Sequence, residues 1–358
     1  MCDVNGHEPQ NGVGVKTLPV EDAVGTVLAH DITEIRKDEF KGRAFKKGHI
    51  VQEEDICYLQ RLGKERLFVL NIGDDEMHED DAAYALASAL MGDGVRIKGE
   101  PKEGKINIIA DRGGLLKVRA NSLAHFNMLG DVMCATLHNN TIVKKDQIVA
   151  GTRAIPLVVK KNLVEEAVAI AKCDGNVIEV KEMKKPKAGI VITGNEVYYG
   201  KIKDAFGPVI TKKIEEFNGE IVGTYYAPDD EAFIETRLKE LLDAGADLLI
   251  TTGGMSVDPD DVTRFAIRNL GAADITYGSA VLPGAMFLVA YLETGQGCIP
   301  VLGIPACGMY HKTTVFDLML PRVLAGEIIG RRELAELGHG GLCLNCKECR
   351  YPVCPFGK

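Results

Sequence analysis

Within seventeen residues the chain changes character. Asp247-Leu-Leu-Ile-Thr-Thr-Gly-Gly-Met-Ser-Val-Asp-Pro-Asp-Asp-Val-Thr263 runs from apolar residues through two glycines to clustered carboxylates. Leu248, Leu249 and Ile250 suit a short strand covered on both faces, as strands of a parallel sheet are. Gly253 and Gly254 end it; without a Cβ they accept positive φ and let a ligand come close to the backbone. Asp258, Asp260 and Asp261 precede the amphipathic run Val262 to Leu270, so they stand where a helix begins, and carboxylates there cap free amides and suit the helix dipole. Three acids beside an opened strand end exceed what capping needs, and ligands of α/β sheets bind outside the carboxyl ends of the strands. Spacing alone leaves capping and ligand binding both open.

The surrounding pattern supplies the sheet. Lys181 to Lys187 reads as a linker, after which Ala188–Thr193 is a first buried strand, Pro208–Phe217 a helix, Glu220–Tyr226 a strand and Glu231–Ala244 a helix with Ile234, Leu238, Leu241 and Leu242 on one face. Strands at Phe287–Glu293 and Pro300–Ile304 and a helix over Met309–Leu324 complete the domain. Alternating strands and helices imply right-handed crossovers and a parallel sheet covered on both faces. The segments 194–200, 227–230 and 253–261 then converge on one edge, and acids arrive there from three separate strand ends, as a shared metal and phosphate site requires.

Gly253-Gly254-Met255-Ser256-Val257, followed by Asp261 and Thr263, resembles the signature loop of the molybdopterin-binding domain shared by molybdopterin molybdenumtransferases and molybdopterin adenylyltransferases. The likeness runs from residue 188 to about 330 and is strongest up to Gly271. Thr193-Gly194-Asn195-Glu196 resembles the Gly-Asp-Glu turn of the molybdenumtransferases with Asn195 in place of the usual Asp, and Ala227-Pro-Asp-Asp230 matches their Pro-Asp-Asp turn. The resemblance implies a three-layer α/β domain over 185–330 with a parallel sheet. It implies a tricyclic pterin ligand, molybdopterin, its adenylate or the finished molybdenum cofactor, whose dithiolene receives molybdenum. Glu196 and Asp261 become the catalytic positions. Thr193, Gly194, Asp229, Asp230, Thr252, Gly253, Gly254, Ser256, Asp260 and Thr263 become cofactor contacts, with Ser256 and Thr263 as hydroxyl donors to phosphate or, for each, simply turn or cap hydroxyls. Mg²⁺ held by the carboxylates would offset phosphate charge and polarise the bond to be hydrolysed.

Departures from the family are specific. Pro283-Gly284-Ala285-Met286 stands where molybdenumtransferases carry Pro-Gly-Lys-Pro, so that cation is missing; Pro305-Ala306-Cys307-Gly308 stands for Pro-Gly-Asn-Pro. Ala205-Phe206-Gly207 replaces the usual Ser-Asn, and no N-terminal Met-Asp-Gly-Tyr-Ala type motif is found. A carrier or sensor of the cofactor, without chemistry of its own, is the first alternative. The second is a nucleotide pyrophosphatase like the related competence-damage proteins, whose Gly-Gly loop is followed by an Asp-Asp-x-Thr run that Asp260-Asp261-Val262-Thr263 also fits. Partners implied by these readings are the pterin, a second copy of the chain completing the open site, and a molybdoenzyme or another cofactor-biosynthesis protein.

The 358 residues suffice for several domains. Residues 1–16 read as a loose polar leader. Residues 17–100 read as a small α/β region with alternating segments at 25–29 and 48–51, a helix over Glu53–Gly63 and a strand at Arg66–Leu70. The order Gly48, Ile50, Ile56, Leu59, Leu62, Phe68 is similar to a linking segment of the molybdenumtransferases, and a small α/β packing unit accounts for it as well. The acidic run Asp74–Asp81 reads as a solvated start to an alanine-rich helix. Residues 101–184 read as β-rich, with strands at 106–110, 140–143 and 155–159 before a helix at Leu163–Lys172. A formal net charge of −9 with no basic stripe excludes a general nucleic-acid or membrane-surface role. No apolar run spans a membrane and no signal-like segment opens the chain, which points to the cytoplasm.

Of ten cysteines, four crowd residues 331–358 as Cys343-x₂-Cys346-x₂-Cys349-x₄-Cys354-Pro355. In a reducing compartment such a cluster points to metal ligation rather than disulfides. Its spacing is close to the bacterial ferredoxin run with one extra residue before the fourth ligand, which favours an iron–sulfur cluster; zinc is the alternative.

Overall fold

The computed structural model describes residues 15–36, 40–70, 72–255, 261–295 and 297–358. The chain divides into two units, Met1–Asn139 with Val143–Val180, and Asn140–Ile142 with Lys181–Lys358.

In the second unit, β1 (Lys187–Thr193), β2 (Glu220–Ala227), β3 (Leu248–Thr252), β4 (Ala273–Tyr277), β5 (Leu288–Thr294) and β6 (Gly297–Ile304) form one sheet in the order β2-β1-β3-β6-β5-β4. The first four in that order are parallel; β5 and β4 add antiparallel. Both faces are covered because apolar residues of the central strands point to each face. Ala188, Ile190 and Ile192 pack with Leu248 and Ile250 into one layer, which takes in Ile210 and Ile214 of helix α1 (Phe206–Glu215). Val191 and Leu249 point the other way, onto α2 (Glu231–Asp243) and α3 (Thr263–Asn269) through Ile234, Leu238, Leu241 and Ile267. Leu241 comes very close. A Cβ at Gly189 would sit 2.8 Å from its Cβ, and one at Gly223 2.8 Å from its Cδ2. These two glycines leave the groove in which it is buried, a burial worth roughly 1.5–3 kcal/mol. The result is the expected three-layer α/β domain.

Three details differ from expectation. The helix expected from Met309 begins at Val315 (α4, Val315–Leu324), after a separate 3-10 turn at Ala306–Met309. The reason is a capping box: Thr314 Oγ1 accepts from Phe316 N at 3.2 Å, and Thr314 N donates to Asp317 Oδ2 at 2.7 Å. The edge strand β4 and the short helix α5 (Arg331–Glu336) were not foreseen. In α5 the backbone N–H of Gly330 donates to Glu333 Oε2 at 2.8 Å.

In the first unit, strands at Val95–Lys102, Lys105–Ala110, Ile148–Ala154 and Val132–Thr136 pair in that order, all antiparallel. The helix Glu79–Leu90 shares their core through Ala82, Ala83, Leu86, Ala87 and Leu90. Of the strands expected at 140–143 and 155–159, only Ile142–Val143 and Val158–Lys160 are extended. The segments at 25–29 and 48–51 meet in a single bridge, Val27 to Ile50, rather than as strands, while Arg66–Leu70 pairs with Val15–Pro19 as a strand.

The acidic run is not simply a solvated helix start. Asp74 and Asp75 are exposed, but Glu76 and Glu79 are buried, at 4% and 5% exposure. Gly104 makes the space, since a Cβ there would lie 2.4 Å from Glu79 Oε2. Burial, reinforced by Asp80, pushes the Glu79 carboxyl up to about 7 despite Arg153 at 3.4 Å. Next to it His78 caps the helix: its Nδ1 accepts from Asp80 N at 3.1 Å, and its Nε2 therefore donates to Ala29 O at 2.9 Å. Burial holds that imidazole below its ordinary value. Among the described residues, no helix is long and apolar enough to cross a membrane.

Candidate functional site

Because β1, β2 and β3 are parallel neighbours, their carboxyl ends open on the same edge. There Gly253 (φ +79°) and Gly254 (φ +56°) turn the chain through the left-handed region. Neither tolerates a side chain. A Cβ at Gly253 would stand 2.5 Å from Thr193 O, and one at Gly254 2.3 Å from Thr263 Oγ1. The glycine loop thus lies flat against the end of β1 and the start of α3.

Hydroxyls hold it there. Thr193 Oγ1 donates to Thr252 O at 2.8 Å and lies 3.1 Å from Thr263 Oγ1. With the Thr193 proton used on the carbonyl, Thr263 is the donor of that second bond, and its only proton is committed. Both residues are buried, at 3% and 0% exposure. Of the two roles open to Thr263, the geometry favours the internal tie over phosphate contact. The Thr252 hydroxyl is buried without a partner. Met255 anchors the far side of the loop: its carbonyl accepts from the Tyr277 hydroxyl. Its side chain fills the space above Gly303, where a Cβ would meet Met255 Cε at 2.4 Å.

Beside this loop lies a cavity of about 550 Å³. Glu196 and Asp261, the two expected catalytic positions, both line it, together with Thr193, Gly253 and Gly254. Glu196 is exposed on a helical turn, Asn195–Tyr198, and its carboxylate folds back over Gly194 (φ +135°), where a Cβ would come within 2.8 Å of Oε1. Asp261 is half-buried. Much of the remaining wall is apolar: Val197, Ile202, Phe206, Met255, Leu282, Met286 and Met309.

Other expected residues stand outside the cavity. Asp229 is engaged reciprocally with Asn195: Asn195 N donates to Asp229 Oδ2 at 3.1 Å, and Asp229 N donates to Asn195 Oδ1 at 3.3 Å. Asp230 caps α2 by accepting from Phe233 N at 2.8 Å. Ser256, Asp260 and Asp258 lie outside the described residues, as does nearly all of the expected leader.

Three contributors were missed in the sequence. Lys203 lines the cavity and is exposed, with no ion pair among the described residues. The pair Lys201 and Lys203 directly after the first acidic turn was the available signal. Cys307 also lines the wall, its thiol pushed up by burial. The third, Asp204, stands beside the cavity rather than in its lining; its carboxylate accepts from Phe206 N at 2.7 Å and Gly207 N at 3.1 Å, occupying the start of α1 that an anion would otherwise find.

The C-terminal thiols occupy a different place in the same unit. Cys343, Cys346, Cys349 and Cys354 are free thiols lining one cavity of about 310 Å³. Their segment is built into the domain: Leu282 N donates to Gly341 O, Cys343 N donates to Leu282 O, both at 2.8 Å, and Phe356 is buried in the layer beneath α4. Thr313 Oγ1 stands 3.3 Å from Cys349 Sγ and holds that thiol below its ordinary value. Among the described residues, no group of three or more His, Cys, Asp or Glu converges closely enough to hold a metal ion, so the expected four-thiolate centre is not preassembled.

Comparison with known proteins agrees with the resemblance. Residues 189–325 match the family of the probable molybdopterin binding domain, and residues 17–71 match a domain family of unknown function. A CinA-like protein of Mycobacterium avium is 40% identical over 224 residues, covering 48% of this chain and 51% of that protein. The chain thus spans about half, or less, of the length of the curated relatives it matches. Among solved structures, the tungsten cofactor synthesizing protein MoaB of Pyrococcus furiosus is 19% identical, with 40% of this chain and 97% of that chain covered and a TM-score of 0.32. The molybdopterin biosynthesis MoeA protein of Pyrococcus horikosii is 16% identical over 87% of this chain and 75% of its own, with a TM-score of 0.31. The family match thus falls within the stretch where the resemblance was expected, over residues 189–325.

Proposed function

We propose that the chain serves molybdenum cofactor biosynthesis, with residues 185–330 binding molybdopterin or its adenylate in the glycine-loop cavity and inserting molybdate with Mg²⁺-assisted hydrolysis. One observation carries the reading: Glu196 and Asp261, from the ends of two different strands, line a single cavity with a close-packed glycine loop and an apolar wall. A flat heterocycle suits that wall, with Phe206 and Met255 excluding water from its faces. Lys203 would meet the ligand's phosphate, and the hydroxyl tie between Thr193 and Thr263 keeps the loop in place as it binds.

The donor set fits Mg²⁺, which keeps several waters and takes one or two protein carboxylates beside substrate phosphates. Glu196 and Asp261 would hold it, and when bound it would neutralise phosphate charge and polarise the scissile bond. Glu196, exposed at the cavity, is also the group able to take a proton from an attacking water. The C-terminal cysteines stand apart from this chemistry, since none of the four lines the glycine-loop cavity.

The test is calorimetric titration of the purified protein with molybdopterin and Mg²⁺, alongside mass spectrometry of any co-purifying small molecule. Glu196→Gln and Asp261→Asn are expected to abolish metal-dependent binding or turnover while leaving the melting temperature within a few degrees. Unchanged binding and turnover in both variants would remove the two acids from the site. Binding without turnover in the parent protein would instead favour the carrier or sensor role.

A second reading has its own support. The curated relatives are CinA-like proteins at 39–40% identity, and Asp260-Asp261-Val262-Thr263 fits the competence-damage run. On that reading the same cavity takes a nucleotide pyrophosphate, water attacks one phosphorus and the bridging oxygen leaves with the other. Release of AMP from ADP-ribose, with no pterin binding, would establish it in place of the first. Self-association belongs to either reading as a way to cover the open cavity; a fully active monomer in sedimentation would exclude it.

A further inference from the structure

We propose that Cys343, Cys346, Cys349 and Cys354 ligate an iron–sulfur cluster in the second cavity of the C-terminal unit, a centre distinct from the glycine-loop site. The first ground is placement. Four thiols within one short segment all line the same cavity, although the segment has almost no regular secondary structure to bring them there.

The second ground is how the segment is held. Its start is fixed by the exchange between Leu282 and the Gly341–Cys343 backbone, and its end by Gly357 N donating to Gly340 O at 3.0 Å. The two ends are thus joined and the cysteines sit on a closed loop. Within it, the four residues between Cys349 and Cys354 form a turn closed by Val353 N to Arg350 O at 2.7 Å. That turn absorbs the residue by which the spacing exceeds the ferredoxin run, and it returns Cys354 to the cavity wall, followed by Pro355.

The third ground selects the occupant. The spacing favours an iron–sulfur cluster: three thiols at two-residue intervals, with a fourth directly before Pro355, follow the ferredoxin run, whereas zinc sites commonly pair Cys-x₂-Cys knuckles across a longer gap. All four thiols line one cavity of about 310 Å³. Its surroundings suit a group of net negative charge: Lys312 and Arg350 line the cavity, and the Thr313 hydroxyl lies within reach of a ligand sulfur. Hydrogen bonds to sulfur and local charge are what tune such clusters.

The experiment is anaerobic purification of the full-length protein, then incubation with equal amounts of ferrous and ferric iron and with sulfide, so that a mixed-valence cluster assembles without an added oxidant, with iron, acid-labile sulfide and zinc measured per chain and the visible and Mössbauer spectra recorded. Iron and sulfide in equal amounts, with charge-transfer absorption, are expected. Cys346→Ser with Cys349→Ser should lose both, while Cys298→Ser, an exposed thiol outside the cavity, should keep them. If the double variant does not fold, Cys349→Ser alone reads the same loss. One equivalent of zinc without iron, no metal at all, or undiminished iron in the folded cysteine variants would each overturn the proposal. No pterin enters these measurements, so the outcome is independent of the proposed function.

Discussion

Replacing Glu79 by Gln should make the first unit more stable above neutrality and leave it nearly unchanged in acid. An ordinary glutamate titrates near 4.5; this one, buried under Gly104, titrates at about 7. Between those values the folded chain holds a proton that the unfolded chain has released. Stability must therefore fall as pH rises through that window, and the full cost is present above about pH 7. At about 1.4 kcal/mol per pH unit, the displacement amounts to about 3 kcal/mol as an upper bound. Arg153 at 3.4 Å has already reduced it. His78 works the other way, since its depressed value makes the protein gain stability as pH rises toward 6.5. Subtracting the variant from the parent isolates Glu79, because His78 is present in both. Urea unfolding from pH 4 to pH 8.5 should show the stability difference growing by about 2–3 kcal/mol in favour of Glu79→Gln across this range. A difference independent of pH, or one favouring the parent at high pH, would mean that the carboxylate is solvated or fully paired and that the burial argument is wrong.

Two further substitutions probe the glycine loop. Thr263→Val removes the bond to Thr193 and should lower stability by about 1 kcal/mol in urea melts while changing pterin affinity less than about tenfold; a much larger loss of affinity at unchanged stability would return Thr263 to phosphate contact. Lys203→Met should weaken binding of a phosphate-bearing ligand roughly tenfold, and less so at high salt, because the lysine is exposed. Equal affinity for both proteins at low salt would show that the cation does not meet the ligand.

The second unit was largely readable from sequence because its central parallel strands each carry a short apolar run, Ile190–Ile192 and Leu248–Ile250, beside amphipathic helices. Ala188–Thr193 and Leu248–Thr252 carry their own assignment. What failed depends on groups that meet only after folding. The start of α4 is set by side-chain bonds between Thr314 and Asp317, which hydrophobic periodicity does not register. The buried state of Glu79 follows from a glycine in a different strand connection. Glu196, Asp261 and Thr193, which line the cavity, each follow or end a recognisable strand, whereas the bond between Thr193 and Thr263 joins residues 70 apart in sequence and was not legible. Lys203 is marked only by its neighbour Lys201 after the first acidic turn, and the Leu282–Met286 wall arrives by tertiary approach alone.

Leu282 belongs to the glycine-loop cavity, and through the bridge to Leu342 its backbone is also the anchor of the cysteine loop. One short piece of chain thus lines the first chamber and is hydrogen-bonded to the strand of chain that lines the second. Thermodynamic reciprocity applies to any such link: if filling one chamber shifts it and alters affinity in the other by some factor, filling the second alters affinity in the first by the same factor. Under that condition a measurement made on either side reports on both.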